Sequence, residues 1–198
     1  MRRLIFVLLL LATACGSNLP ELKTPGAHEQ MSFRLRHQIK ARRGDDVYVF
    51  EGYMILQGDA FVVRAFAGPG VSLFTVTRDG DKHTEKAHVP GLNNKLNLES
   101  VGLDIARAYF AGCPGSSSGE ITKCTILGQI AHETHAPNGD LLTRRFPSAY
   151  KDGLLIEYLD YTKKMDRRWA KRIHLKWSGK ENEMEIFLLT VEPTSSTP

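Results

Sequence analysis

The sequence predicts a mostly β protein in which one amphipathic helix packs on a large antiparallel sheet. Apolar and polar residues alternate along many short segments, and this two-residue period is typical of half-buried strands. Short turns rich in Gly, Asp and Pro separate these segments, as expected for strands joined by hairpins. One segment, which begins at Asn97, has the spacing of a helix instead. The region between the two ends of the chain, about 160 residues, is long enough for one domain.

The segments before Asn97 predict a series of antiparallel strands. FRLRHQIKA alternates Phe33, Leu35, His37 and Ile39 with polar residues, so one face of this strand is expected to be buried. VYVFEGYMIL and FVVRAFA are apolar on both faces, which predicts cover on both sides of the sheet. VSLFTVT follows, and the connecting turns are assigned to Gly58–Asp59, Gly68–Pro69–Gly70 and Asp79–Gly80.

The helical segment carries its own start and stop signals. Asn97 suits the N-cap, Glu99 favours the positive helix start, and Gly112 suits the position after the last turn. Burial of the larger apolar side chains stabilises the helix by roughly 1.5–3 kcal/mol each, which outweighs the propensity penalty of Gly102. The apolar positions at helical spacing are Leu98, Val101, Ile105, Ala108 and Tyr109.

Further candidate strands follow the helix. KRIHLKW again alternates, with Ile173 and Leu175 on one side. Together with the earlier segments they make nine or ten strands, enough for a sheet that curls. These later segments are residues 120–136, 139–146, 153–161, 171–178 and 183–191.

Residues 1–14 have the features of an export signal. Arg2 and Arg3 precede nine apolar residues, Leu4 to Ala12; as a helix these measure roughly 14 Å, too short for a bilayer core of about 30 Å. Small residues then lead to Cys15, an order similar to the lipobox of bacterial lipoproteins, which implies cleavage before this cysteine and its acylation. Several acyl chains, at roughly 0.8 kcal/mol per buried CH₂, anchor a protein stably. Ordinary secretion with an incidental cysteine is the alternative.

The predicted compartment changes how charge and cysteines are interpreted. Removal of residues 1–14 takes away two arginines, so the net charge of +4 becomes +2. An exported protein rarely meets nucleic acid, so we predict no nucleic-acid partner. Many lipoproteins are retained at the inner membrane by an Asp after the acylated cysteine, whereas Gly16 and Ser17 follow Cys15 here. This difference favours a location at the periplasmic face of the outer membrane. Cys113 and Cys124 are expected to form a disulfide in an oxidising compartment rather than to bind zinc, because no CxxC spacing is present.

The chain therefore divides into four parts. Residues 1–14 are the signal peptide, and 15–31, with Pro20, Pro25 and Gly26, are the acylated N-terminus and linker. Residues 32–192 form the folded domain. Residues 193–198, with the sequence PTSSTP, are predicted to be a disordered tail.

Three stretches resemble one family of bacterial envelope proteins. RAFAGPGVSLFTVTRDGDKHTEKA, NLESVGLDIARAYFAG and RRWAKRIHLKWSGKENEMEIFLLTVEP are similar to the LolA and LolB lipoprotein carriers and receptors, and more so to an uncharacterised group of related outer-membrane lipoproteins. The likeness spans roughly residues 31–192. It implies an open half-barrel of about 9–11 strands, with the main helix on the concave side and an apolar concave face that holds acyl chains.

The resemblance also suggests a membrane or ligand loop at Pro69, Gly70 and Val71. The receptor has a bulky apolar residue between its proline and glycine, whereas Gly70 occupies that place here. Ala170 likewise stands where the family's closing hairpin has a proline. Lipid binding is therefore expected more strongly than full lipoprotein insertion. The candidate lipid-facing wall comprises Phe50, Met54, Val62, Phe66 and Phe74.

The sequence offers little for catalysis. In HETH the histidines His132 and His135 have His-x-x-His spacing on a predicted strand, which places them on opposite faces and disfavours a metal site. Ser116–Ser118 lack the GxSxG context of a nucleophile. We predict no enzyme, no cofactor and no metal.

The basic run KKMDRRWAKR is the last candidate site. It is either a solvated hairpin loop or a contact for anionic head groups, to which each Lys or Arg contributes about 1 kcal/mol. The predicted function is binding or transfer of a lipid, acyl chain or acylated partner; the alternative is a non-enzymatic envelope interaction module with a filled core. The candidate head-group residues are Lys163, Lys164, Arg167, Arg168 and Trp169.

Overall fold

A computed structural model describes residues 32–57, 60–68, 70–79, 82–92, 96–109, 113, 119–147, 149, 153–178 and 182–194. Cys15, the predicted signal peptide and linker, Pro69, Gly112 and residues 195–198 lie outside this part. The described residues form eleven strands and one α-helix. Their bounds are β1 (Ser32–Arg43), β2 (Asp46–Gln57), β3 (Ala60–Phe66), β4 (Ser72–Asp79), β5 (Lys82–Ala87), α1 (Leu98–Tyr109), β6 (Ile121–Ile126), β7 (Gln129–His135), β8 (Leu141–Phe146), β9 (Leu154–Lys164), β10 (Arg167–Trp177) and β11 (Asn182–Pro193).

All eleven strands form one antiparallel sheet. The spatial order is β5-β4-β3-β2-β1-β11-β10-β9-β8-β7-β6, so β1 and β11 pair at the centre and every other pair is a hairpin or consecutive connection. The sheet is not closed, and it forms a curved half-barrel with a single helix. The predicted fold class is therefore confirmed.

The stretch 120–136, which we predict as one strand, is two strands. β6 and β7 are joined by Leu127 and Gly128, which both have positive φ, 51° and 72°. A two-residue hairpin turn needs this backbone conformation, and Gly or Asn usually supplies it at both positions. Because Leu127 is neither Gly nor Asn, the sequence pattern does not indicate this turn.

Strand alternation separates a buried inner face from an outer face. In β1 the side chains of Phe33, Leu35, His37 and Ile39 are all buried, as predicted. The inner face continues through the neighbouring strands with apolar side chains. Its other members include Phe50, Met54, Phe61, Val63, Phe74, Val76, Ile156, Ile173, Leu175 and Ile186.

On the outer face of β2, no described segment of the chain covers the apolar side chains. Tyr53 and Ile55 are 37% and 38% exposed. The guanidinium of Arg36 lies 5.7 Å from the centre of the Tyr53 ring and pairs with Glu51 at 2.9 Å. The expectation of cover on both sides of this strand is wrong, because a cation and its carboxylate partner border the apolar ring here instead of a second layer.

The helix α1 packs on the inner face near β4 and β5. The side-chain oxygen of Asn97 accepts a hydrogen bond from the Ser100 amide at 3.1 Å, which confirms the predicted N-cap. Gly102 allows close contact, because a Cβ at this position would lie 2.6 Å from Cγ1 of Val76. At the other terminus, β11 extends to Pro193, one residue beyond the expected boundary, and the Thr194 amide donates to the Ser32 carbonyl at 2.9 Å.

The two faces of β2 predict a contrast between adjacent substitutions. Met54, 2% exposed, lies in the core, whereas Ile55 points outward. We expect Met54→Ala to lower the free energy of unfolding by about 2–4 kcal/mol, and Ile55→Ala by less than about 1 kcal/mol. Urea unfolding followed by circular dichroism measures both. Equal losses would contradict this assignment of faces.

Candidate functional site

The space between α1 and the inner face is a small cavity. Its volume of about 10 Å³ is close to what one water molecule needs, whereas small-molecule sites are usually about 300–1,000 Å³. The helix therefore leaves little space at this part of the inner face. The lining residues are His37, Ile39, Gly52, Met54, Val63, Ile105, Tyr109 and Ile186.

A histidine and a tyrosine form the polar contact in this cavity. The hydroxyl of Tyr109, on α1, lies 2.7 Å from Nε2 of His37, on β1. Burial lowers the pKa of His37 to about 3 and raises the pKa of Tyr109 above its ordinary value. Both side chains are therefore neutral at physiological pH, which suits an otherwise apolar surrounding.

Hydrogen bonds from the sheet hold the second half of the helix. The Arg144 guanidinium donates to the carbonyl of Arg107, and the Tyr158 hydroxyl donates to the carbonyl of Ala108 at 2.9 Å. These carbonyls belong to the last turn of α1, where intrahelical partners are missing. The sheet thus satisfies groups at the C-terminal end of the helix that would otherwise be buried without partners.

Arg144 is itself paired inside the protein. Its Nε donates to Oε1 of Glu133 at 2.6 Å, and the amide of Cys113 donates to Oε2 of the same carboxylate at 2.8 Å. Burial raises the pKa of Glu133, but the Arg144 charge and the Cys113 amide outweigh it, so the pKa lies below its usual value. The ionised Glu133 therefore connects the sheet to the chain just after the helix.

Contacts to the helix differ between its two halves. In the second half, Arg107 pairs with Asp104 at 2.7 Å and donates to the side chain of Gln129 at 3.0 Å. In the first half, Leu98 is buried, and Gly102 lies so close to Val76 that a Cβ there would be 2.6 Å from Val76 Cγ1. The first half therefore relies on apolar packing, while the second half is also held by buried polar bonds.

The predicted disulfide forms immediately after the helix. Cys113 and Cys124 are joined, with their Cα atoms 5.5 Å apart. Cys124 lies on β6, so this bond attaches the chain that follows α1 to the edge of the sheet. The hydrogen bond from the Cys113 amide to Glu133 attaches the same point of the chain to the sheet.

The structure divides the candidate lipid-facing wall between two faces. Phe50, Met54 and Phe74 are buried on the inner face. Val62 and Phe66 point to the outer face, because they share the orientation of the exposed Arg64 in the alternation of β3. The five residues therefore cannot form one wall. The inner-face positions of β3 are Phe61, Val63 and Ala65.

The two candidate membrane contacts lie at different levels of the sheet. Val71, in the connection between β3 and β4, is 51% exposed. It follows Phe66, which pairs with Glu51 of β2, and Glu51 in turn pairs with Gln38 of β1. Val71 therefore lies beyond the level of Gln38. The tip of the β9–β10 hairpin is level with the start of β1, since Arg167 lies over the Phe33 ring at 5.0 Å. Trp169 packs edge-on against Phe33 and is only partly exposed.

Sequence reasoning missed the buried charges that hold the helix. Glu133 and Arg144 are directly opposite each other on β7 and β8. Each occupies an inward position in an alternating segment. Two opposite charges that face inward on adjacent strands are the sequence feature from which this pair could be predicted.

In the described part of the chain, no cluster of three or more side chains is arranged to bind a metal. His135 lies 3.2 Å from Glu133 and contributes to the same polar cluster. None of the described helices has the length and apolar character needed to cross a membrane.

Comparison with solved structures identifies the architecture. A LolA superfamily protein from Nitrosomonas europaea superposes with a TM-score of 0.53 at 12% identity, covering 83% of this chain and 86% of that protein. The chain has a LolA-like fold. A putative outer-membrane lipoprotein-sorting protein domain from Vibrio parahaemolyticus gives a TM-score of 0.50 at 10% identity, with 85% and 88% covered. No family model and no curated protein matches the sequence.

The disulfide predicts a measurable stability difference. Replacing both Cys113 and Cys124 with Ser should lower the free energy of unfolding by about 3 kcal/mol, because the unfolded chain regains the entropy of an open loop of this size. Chemical denaturation of the double variant and the native protein gives this difference. A loss below about 1 kcal/mol would contradict a stabilising role.

The buried histidine predicts acid sensitivity. Because the folded pKa of His37 is about 3 and its ordinary value is 6.5, between these values the unfolded chain binds a proton that the native state does not. Stability from this group is therefore present above about pH 6.5 and is lost as the pH falls. Between pH 7.5 and 5 the loss should be about 2 kcal/mol.

The His37→Gln variant, which keeps a hydrogen-bonding side chain without this titration, provides the control. Urea unfolding of both proteins at the two pH values gives the difference attributable to His37. The same pH dependence in both would show that other groups cause it.

Proposed function

We propose that this protein is a lipoprotein, anchored through acylated Cys15 at the periplasmic face of the outer membrane, that binds an acyl chain between α1 and the inner face of the sheet. The acyl chain belongs to a lipid or to an acylated protein, and the chain binds or transfers it without catalysing a reaction. The observation that carries the proposal is an apolar inner face whose cover is one helix, held by polar bonds at its second half.

An acyl chain can offset the cost of displacing the first half of the helix. Exposing Leu98 and Val101, the apolar side chains of that half that pack on the core, costs at most about 3–6 kcal/mol, at roughly 1.5–3 kcal/mol per side chain. Burial of the fourteen methylenes of a 16-carbon acyl chain returns about 11 kcal/mol at 0.8 kcal/mol each. An acyl chain can therefore replace the first half of the helix on the inner face. Because displacing the helix side chains offsets part of the energy gained from the acyl chain, we expect binding to be reversible.

The LolA-like fold and the N-terminal sequence both support this proposal. One of the two similar structures is described as a lipoprotein-sorting domain, and the other as a LolA superfamily protein. Gly16 and Ser17 after the acylation site favour the outer membrane. Gly70 stands where the receptor family has a bulky residue, which favours binding over insertion of lipoproteins.

A filled-core interaction module for another envelope protein is the second candidate function. The small cavity favours it, because about 10 Å³ leaves no room for a ligand while the helix is closed. The two candidates differ in one respect that can be measured. Acyl binding requires the first half of α1 to leave the sheet, whereas the module functions with the helix in place.

A cross-link that holds the helix closed tests the proposal. In residues 15–198 carrying Cys15→Ser, which lack the signal peptide and the acylation site, we introduce Gly102→Cys and Val76→Cys. A Cβ at position 102 would lie 2.6 Å from Val76 Cγ1, so the two thiols are close enough to bond. We expect fluorescent palmitate to bind the Cys15→Ser chain and to lose at least tenfold in affinity when the cross-link is formed.

The matched control joins two strands and leaves the helix free. Thr77 and Thr84 are direct partners on β4 and β5, so Thr77→Cys with Thr84→Cys supplies it. This control should bind palmitate like the parent. Failure of the parent to bind palmitate, together with no lipid in its native mass spectrum, would favour the module; equal binding by both cross-linked proteins would exclude the inner face as the site.

A further inference from the structure

The tip of the β9–β10 hairpin is a basic projection with an apolar residue at its end. Lys163, Lys164, Arg167 and Arg168 are exposed there, and Met165 at the turn is 37% exposed. Met165 and Asp166 both have positive φ, which is typical of a tight two-residue turn.

The charge of this tip remains positive after its ion pairs are counted. Arg168 binds the carboxylate of Asp140 at 2.5 Å, and Lys163 lies 3.4 Å from Asp166. Four cations against two carboxylates leave a net charge of +2. The side chain of Lys164 and the exposed face of Arg167 carry this excess.

The inner side of the hairpin packs against the start of β1. Trp169 packs on Phe33 with ring centres 5.1 Å apart, and its Nε1 donates to the Lys164 carbonyl at 3.3 Å. The Arg167 guanidinium covers the same Phe33 ring. Trp169 therefore supports the tip, and the residues available to a surface are the cations and Met165.

The start of β1 is also where the N-terminal segment joins the domain. Ser32 is the next residue after the predicted linker 15–31, so a chain anchored at Cys15 is attached at the level of the hairpin tip. Val71 is six or seven residues further along the strand direction, or about 20 Å at 3.3 Å per residue. The anchor thus favours contact between a bilayer and the hairpin over contact with Val71.

We propose that the β9–β10 tip binds a bilayer containing anionic phospholipids and turns the start of β1 toward the membrane, with the Val71 loop directed away from it. Lys164 and Arg167 contact the phosphate groups, and Met165 enters the interface. The orientation rests on the proposed anchor at Cys15, whereas the contact itself is a property of the hairpin.

Vesicle binding without the anchor tests the contact. Residues 15–198 with Cys15→Ser, which lack both the signal peptide and the acylation site, are mixed with vesicles of phosphatidylglycerol and phosphatidylcholine at low salt, and the bound fraction is measured by sedimentation. Lys164→Gln with Arg167→Gln should weaken binding about 30-fold, from a contribution of about fivefold per cation. Lys40→Gln with Arg43→Gln, the same charge change near the other end of β1, should weaken binding less than threefold. Equal losses in both pairs, or no binding by the parent, would overturn the proposal.

Site-specific labels test the orientation in the acylated protein. An environment-sensitive fluorophore on Met165→Cys should shift to the blue and be quenched by spin-labelled lipid, while the same label on Val71→Cys should not. The reverse pattern would overturn the orientation. Because neither experiment uses the inner face, failure of palmitate binding and failure of this proposal are distinguishable.

Discussion

The bond from Arg144 to the last turn of α1 is the contact on which the position of the helix over the sheet depends. Arg144 is almost fully buried, and so is its partner Glu133. Removing one partner of such a pair leaves a buried charge without compensation, at a cost of about 3–5 kcal/mol. The pair therefore has to remain intact, and by remaining intact it fixes the C-terminal end of the helix over the sheet. Tyr158 and the Cys113 amide strengthen the same position.

This arrangement makes the two halves of the helix unequal in how easily they leave the sheet. Apolar packing has no preferred direction and can be exchanged for other apolar groups, whereas buried hydrogen bonds are costly to leave unmade. Displacing the half that contains Leu98 and Gly102 therefore breaks fewer buried polar bonds than displacing the half that contains Arg107. Tyr109, the last residue of α1, adds a neutral hydrogen bond to His37 in the same half of the helix as Arg107.

Much of the fold could be predicted from the sequence because most strands have a simple pattern. In β1 every second residue from Phe33 to Ile39 is buried, and all of these except His37 are apolar, while Asn97 marks the start of the helix. The buried face of β3 is harder to predict, since FVVRAF is apolar at five of six positions and either face could be the buried one. Arg64 distinguishes the two faces, because a charge without a partner must point outward, and Val62 and Phe66 share its orientation. The turn at Leu127 could not be predicted, because that residue adopts a backbone conformation its type rarely supports.

The candidate site was less predictable, since it depends on which residues face each other across the sheet. Glu133 and Arg144 are separated by eleven positions, and only the hairpin register brings them together. Strand alternation alone places each charge inside, where an isolated charge would be unfavourable. The physical conclusion is that an inward charge on one strand requires a partner on the next. Because the last turn of the helix bonds to Arg144 of that pair, the same requirement also locates the end of the helix that is held by polar bonds, and leaves apolar packing as the main contact of the first half.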